Sequence, residues 1–309
     1  MSSMAGSPAA SRRSATKRPD AQLRRARPLL GTIVSIRIDG LKEDEANRVA
    51  ERGFAEIAGI HALMSFHEFE SDVSRLNREA NTTAIAVDRR TFEVIRTAIE
   101  IADASGGVFD PTIAPDLVAR GFLPIPEHAP AADPAAKWRD IELTAPDRVR
   151  FHKPLWIDLG GIAKGYAVDR AIEAMQLDPD VQCCVNAGGD LAVRGPRAER
   201  VLVRTDRSEG TWVPAIEIEN GSLASSSGRA QSHVDNQVRV GPHVDGSNHC
   251  SVGLTSFAAV AAEHCTIADA LTKVVLAREG DAAPVLQRFG ATAYLQDAHG
   301  NWRTLKGVG

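Results

Sequence analysis

Residues 155–175, LWIDLGGIAKGYAVDRAIEAM, contain the transition that decides the fold. The apolar run Leu155 to Leu159 reads as a strand, Gly160–Gly161 as a turn, and Ile162 to Met175 as a helix. A strand ending in Asp158, two glycines and Lys164 at a helix start bring backbone N–H groups and a cation together, which suits a phosphate or pyrophosphate. The spacing fits neither a Walker A loop nor a G-x-G-x-x-G turn. A glycine-rich turn carrying a surface lysine is the other reading of the same residues.

Downstream, Val181 to Asn186 and Leu191 to Val193 read as strands around Gly188–Gly189, and Val201 to Thr205 and Val213 to Ile218 as short strands. Residues 225–250 are polar and read as a loop, Ser251 to Ser256 as a strand and Thr266 to Arg278 as a helix. Upstream, Thr32 to Asp39 alternates like a half-buried strand. Glu43 to Met64 has helical spacing at Ala46, Val49, Ala50, Phe54, Ile57 and Ile60. Ser71 can cap a short helix through Asn77, and Asp88 to Ser105 is an amphipathic helix stopped by Gly106–Gly107. The Pro- and Ala-rich residues 123–137 read as a loop. Helices and strands mix without regular βα alternation, so the fold class is α+β (mixed α/β) rather than a doubly wound sheet.

The chain has 309 residues, 43% hydrophobic and 25% charged, which excludes global disorder and suggests about two domains. No run of 18 apolar residues exists, so no membrane-spanning helix is expected. Charge is uneven: residues 1–27 carry about +6 and the remainder about −10. The basic tail, 1–27, is expected to be disordered, and the acidic body is a poor nucleic-acid binder. No apolar h-region follows the tail's arginines and no lipobox cysteine is present, which points to the cytoplasm. Cys183, Cys184, Cys250 and Cys265 lack C-x-x-C spacing and read as buried thiols of a reducing compartment.

Four further segments carry chemistry. Gly107 to Pro115 (GVFDPTIAP) sets Phe109 and Asp110 in a stiff turn, either a helix-ending Asx turn or a ligand-facing ring and carboxylate. Asn186 to Asp190 (NAGGD) signals a hairpin by itself. In Ala268 to Lys273 (ADALTK), Asp269 lies in an apolar helical stretch, where an unpaired charge is costly. It fits a Mg²⁺ ligand or an i, i+4 ion pair to Lys273. The loop at 225–249 contains His233/Asp235 and His243/Asp245, either of which supplies a general base if it reaches a nucleophile.

Taken in order, these segments resemble the ApbE family of FAD:protein FMN transferases. The series is Leu30–Gly31–Thr32, Met64–Ser65, Phe109–Asp110–Pro111–Thr112, Asp158 through Tyr166, Asn186 through Asp190, Ser226–Ser227–Gly228 and Ala268–Asp269–Ala270–Leu271. It covers about residues 28–290, and the F-D-P-T and D-L-G-G-I-A-K-G segments are its most specific parts. The resemblance implies a two-part domain over 28–309, divided near 120–150, with FAD in the cleft between the parts. It implies a phosphotransferase that attaches FMN from FAD to a Thr or Ser hydroxyl of a target flavoprotein, with Mg²⁺, releasing AMP. FAD contacts then fall on Leu30, His67, Val108, Phe109, Asp110, Asp158 and Lys164. Metal contacts fall on the Gly161 carbonyl, Asp269, Thr272 and Lys273, and His243, Asp269 and Lys273 become the catalytic group.

The sequence departs from that pattern at four places. Leu30 stands for the usual Met and His67 for a Tyr. The segment around His243–Val244–Asp245–Gly246 is shortened, which bears on the base. Lys273 stands where the family has a metal-binding Thr, four residues after Asp269, and Thr272 precedes it. An ammonium cannot ligate Mg²⁺ while charged, so either Thr272 or water completes the coordination while Lys273 pairs with phosphate or Asp269, or the chain binds FAD without metal. Two alternatives to transfer also stay open. One is an FAD-binding or delivery protein without turnover, and the other a metal-dependent FAD pyrophosphatase.

Overall fold

The computed structural model describes residues 22–203, 205, 214–228, 232–235 and 237–306. The basic tail from Met1 to Ala21 lies outside them, as does the expected strand start at Val213.

The tail reading is corrected at residues 23–27. Leu23–Leu29 is strand β1, paired antiparallel with β2 (Thr32–Asp39). Its arginines find counter-charges on the long helix α1 (Glu43–Met64): Arg27 pairs with Glu51, Arg25 lies 3.8 Å from Glu43, and Arg27 stacks over Phe54 at 4.6 Å. A charge run that reads as solvated is thus an edge strand seated on an acidic helix.

Ser71 caps α2 (Asp72–Glu79) by accepting from Ser74 N–H at 3.0 Å. After β3 (Ile85–Ala86), Asp88 caps α3 (Arg89–Ala104), and Gly106 and Gly107 end that helix with positive φ. The short α4 (Ala114–Ala119) follows, then an irregular stretch, and then β4 (Ile141–Thr144) and β5 (Arg148–Phe151), which form a small sheet in the order β3-β5-β4.

Among the described residues, the expected strand at Leu155 to Leu159 pairs with no other strand. Side-chain and loop groups occupy its ladder positions: Ile157 N–H donates to Asn77 Oδ1 at 2.8 Å, Asn77 Nδ2 donates to the Ile157 carbonyl at 3.1 Å, and Asp158 N–H donates to the Pro111 carbonyl at 2.8 Å. The buried Asn77 thus acts as a one-residue strand partner.

Helix α5 (Ala163–Met175) leads into β6 (Gln182–Ala187) and β7 (Asp190–Arg194). Next come the ribbon β8 (Glu199–Leu202) and β9 (Ala215–Ile218), and then β10 (Ser222–Ser227). Strand β10 enters the stretch read as loop. Its serines lack an apolar period, yet it pairs with β15 along its whole length. Small pairs β11 (His233–Asp235) with β12 (Val238–Val240) and β13 (Val244–Asp245) with β14 (Cys250–Ser251) precede β15 (Phe257–Ala262). The strand expected at Ser251 to Ser256 therefore begins later, at Phe257. Helix α6 (Cys265–Arg278), α7 (Ala283–Arg288), β16 (Thr292–Gln296) and β17 (Trp302–Lys306) complete the order.

Among the described residues, eight strands form one antiparallel sheet, β1-β2-β6-β7-β10-β15-β16-β17. Helices α1, α5 and α6 pack on each other and on the sheet, burying Val34, Ile36, Phe54, Ile57, Val168 and Leu271 in the main core. Leu191, Val193, Ile216, Ile218 and Leu223 form a smaller core with the β8–β9 ribbon. This α+β arrangement brings the turns β1–β2 and β6–β7, the end of β10 and the start of β15 to one end of the sheet. All four cysteines are free; Cys250 is exposed rather than buried. No helix among the described residues is long and apolar enough to cross a membrane.

Candidate active site

A cleft of about 730 Å³ opens at that end of the sheet, within the size range of small-molecule sites. Its walls include Leu30, Phe109, Asp110, Asp158, Gly161, Lys164, His243 and Lys273. Eight of the residues singled out from sequence thus meet in one place. Val108 and Asp269 are buried behind the wall, Thr272 is buried as well, and His67 is an exposed residue close enough to act electrostatically on Asp158.

Each side of the cleft has its own scaffold. The Phe109–Asp110 turn is closed by Asp110 Oδ1, which accepts from Thr112 N–H at 2.8 Å and Thr112 Oγ1 at 2.7 Å. Gly246 N–H donates to the Val108 carbonyl at 3.0 Å, tying the His243 segment to this turn. Asp158 accepts from Gly160 N–H at 3.1 Å. Burial pushes the carboxyls of both Asp110 and Asp158 above the ordinary carboxylate range, against these hydrogen bonds.

Helices α5 and α6 supply Lys164 and Lys273. Asp169 on α5 accepts from Cys265 N–H at 2.9 Å, Thr266 N–H at 2.8 Å and Thr266 Oγ1 at 2.6 Å, so one helix caps the start of the other. The helices approach so closely at Gly165 that a Cβ there would lie 2.2 Å from the Cys265 carbonyl oxygen. Gly165 N–H donates to Asp269 Oδ2 at 3.1 Å.

A buried charge cluster results. Lys164 Nζ contacts Asp190 Oδ2 and lies 3.8 Å from Asp269 Oδ2, while Lys273 Nζ contacts Asp269 Oδ1 and reaches the Asp269 carbonyl at 2.9 Å. Asp190 Oδ1 accepts from Ser225 N–H at 3.3 Å. Burial opposes ionisation of Asp269, but Lys164 and Lys273 outweigh it and hold the carboxyl below its ordinary value. Burial and then the Asp269 charge push Asp190 up, while Lys164 in direct contact favours its carboxylate. Lys164 itself is raised: burial opposes its charge, and Asp269 and Asp190 prevail. His243 is pushed down to about 3 by burial and then by the ammonium groups of Lys273 and Lys164, so its imidazole is neutral at pH 7.

Asp190 and the serines of β10 were not assigned roles from sequence. The signal for Asp190 is the one used for Asp269: a lone carboxylate inside an apolar run, here VNAGGDLAV, is buried and therefore paired. Ser226 has no comparable signal; its Oγ lies 2.7 Å from Thr272 Oγ1 in the interior.

The donor set does not fit the divalent metal that the resemblance implies. All four oxygens of Asp190 and Asp269 already face N–H or ammonium donors. Thr272 Oγ1 is turned inward, 2.7 Å from both Ser226 Oγ and the Asp269 carbonyl. Among the described residues, no three His, Cys, Asp or Glu side chains are grouped as a cation site.

A family model described as the ApbE family matches residues 30–295. Curated relatives carry the name FAD:protein FMN transferase. That of Treponema pallidum is 24% identical over 185 residues, covering 55% of this chain and 51% of its own length. That of Salmonella typhimurium is 24% identical over 236 residues, 71% and 67% of the two chains. The chain thus spans about half to two thirds of the length of these relatives. Among solved structures, the ApbE protein of Thermotoga maritima superposes with a TM-score of 0.79 at 26% identity, over 92% of this chain and 96% of that one. The flavin transferase ApbE of Vibrio cholerae, at 19% identity, shares the fold with a TM-score of 0.77 over 93% and 97%.

Proposed function

The chain belongs to the ApbE family, and from that premise we propose that it binds FAD in the cleft and transfers the FMN half to a Thr or Ser hydroxyl of a target flavoprotein, releasing AMP. The observation that carries this reading is the meeting of an aromatic, carboxylate-bearing turn with two ammonium groups in one cleft. The first suits a flavin ring and the second a diphosphate. Leu30 and Phe109 give apolar walls to the ring, with Val108 packed behind and His67 near Asp158. Asp110 and Asp158 offer polar atoms to its edge.

In the step, the acceptor hydroxyl oxygen bonds to the FMN phosphorus. The bridging P–O bond breaks, its electron pair leaves with AMP, and the hydroxyl proton passes to the neutral imidazole of His243. Lys164 and Lys273 offset the diphosphate charge, the main task of a protein in phosphoryl transfer. No step is assigned to a metal, because the carboxylate oxygens that would hold one are engaged.

The test is AMP release from FAD with and without an acceptor flavoprotein domain. Acceptor-dependent AMP with a covalent flavin adduct is the expected result. FMN plus AMP without acceptor would make the chain a pyrophosphatase. Bound FAD with no AMP would make it a flavin-binding protein, the reading that Lys273 favours if its ammonium blocks turnover.

A pH prediction follows from His243. Its imidazole titrates near 3 in the free protein, so it stays neutral at any pH well above that value. For FAD, kcat/KM is therefore expected to show no histidine limb across the neutral range. A limb near the ordinary histidine value that disappears in His243→Gln would overturn this.

A further inference from the structure

We propose that the Lys273 ammonium is itself the fixed cation of the Asp190–Asp269 pair, so that this chain holds a diphosphate between two lysines and no divalent ion. The statement about diphosphate rests on the flavin reading above; the statement about the cation does not.

Three observations support it. First, the carboxylate oxygens are used up. Asp269 offers Oδ1 to Lys273 and Oδ2 to Gly165 N–H, and Asp190 offers Oδ2 to Lys164 and Oδ1 to Ser225 N–H. A magnesium ion needs near-octahedral oxygen donors at roughly 2.0–2.1 Å, and each carboxylate oxygen here would have to exchange its partner first. Second, the cluster is already neutral, with two carboxylates against two ammonium groups and a neutral His243 beside them. Adding a divalent cation would leave two uncompensated positive charges in a buried place. Third, Lys273 stands at the cleft surface rather than behind it. Its side chain is only 11% exposed, it lines the cleft, and its Cε lies 3.6 Å from where a Cβ on Gly161 would be. An ammonium has three donors. Lys273 gives donors to Asp269 Oδ1 and to the Asp269 carbonyl, which leaves one for an anion in the cleft.

The test titrates Mn²⁺ alone into the full chain without flavin, reading free Mn²⁺ by electron paramagnetic resonance, with Mg²⁺ as competitor. The wild type is compared with Lys273→Thr, which removes the charge and supplies a hydroxyl, and with Lys273→Met, which removes the charge and keeps the stem. The expected result is Mn²⁺ binding at least roughly tenfold tighter in the variants than in the wild type. Equal Mn²⁺ affinity in wild type and folded variants, whether tight or absent, would overturn the proposal. A second arm measures FAD binding to the wild type by flavin fluorescence, in EDTA and in Mg²⁺. Equal affinity in the two is expected, and binding that requires Mg²⁺ would overturn the proposal even if neither variant folds. If FAD binds under neither condition, the flavin reading fails, and the Mn²⁺ comparison still decides the role of Lys273.

Discussion

Asp269→Ala is expected to destabilise the protein by about 3–5 kcal/mol at neutral pH and to abolish turnover. The carboxylate is fully buried, contacts Lys273, and accepts from Gly165 N–H. Its loss leaves two ammonium groups facing the single carboxylate of Asp190, and leaves a buried N–H without its acceptor. The sign of the pH dependence follows from the direction of the shift. The carboxyl is held below its ordinary value, so its stabilisation is present above the unfolded-state pKa and is lost as pH falls through the lower, folded-state value. The measurement is urea unfolding of wild type and variant at pH 7 and again in acid. The difference should be largest at pH 7 and shrink on acidification. The double variant Asp269→Ala/Lys273→Met should recover part of the loss, because it removes the stranded charge along with its partner. A single-variant change below about 1 kcal/mol would mean that the pair contributes no more than an exposed ion pair does.

Gly165→Ala should destabilise the protein, by about 1–3 kcal/mol, against the helix propensity of the residues exchanged. Alanine is favoured over glycine in a helix interior by about 1 kcal/mol, so propensity alone predicts a more stable protein. Packing decides otherwise. The new Cβ would lie 2.2 Å and 2.6 Å from the Cys265 carbonyl oxygen and carbon, and 2.9 Å from Asp269 Cβ. Two of those three atoms are backbone, so no rotamer change relieves the overlap, and overpacking of this kind costs about 1–3 kcal/mol or more. The helices must separate, and Asp269 moves away from Gly165 N–H and Lys164 as they do. Reduced stability together with weakened FAD binding is the expected pair of results. A variant as stable as the wild type would show that α5 and α6 can shift apart freely.

How much of this was legible depended on whether a residue's partner lies on its own element. Thr32–Asp39 and Glu43–Met64 match their expected bounds, because alternation and helical spacing are local signals that burial then follows. Leu155 to Leu159 reads as a strand, but its partners are the Asn77 side chain, about 80 residues away, and the Pro111 carbonyl, which no pattern in the segment itself records. Ser222–Ser227 was hidden for the opposite reason: serine lacks an apolar period, yet β10 sits inside the sheet, between β7 and β15. The arginines of β1 were read as solvated because their acids lie on another element. At the site, eight of the residues named from order along the chain line the cleft. That order did not distinguish Thr272 from Lys273, adjacent residues of which one points into the interior and the other lines the cleft. Asp190 is masked by the glycine turn before it, which accounts for the segment as a hairpin.

The register of β2 against β6 has a consequence for synthesis. Val34 pairs with Ala187 and Ile36 with Val185, so β2 waits for a neighbour made about 150 residues later. At ribosomal speeds of about 5–20 residues per second, that interval is about 8–30 s. During it, the nascent hairpin of β1 and β2 presents the open edge of β2 and the apolar face of Val34, Ile36 and Ile38, all fully buried in the finished fold. Helix α1, emerging directly after the hairpin, can cover part of that face early; the open edge closes only when β6 emerges. The β1–β2 hairpin is therefore a place where a chaperone that shields extended apolar segments would act during translation.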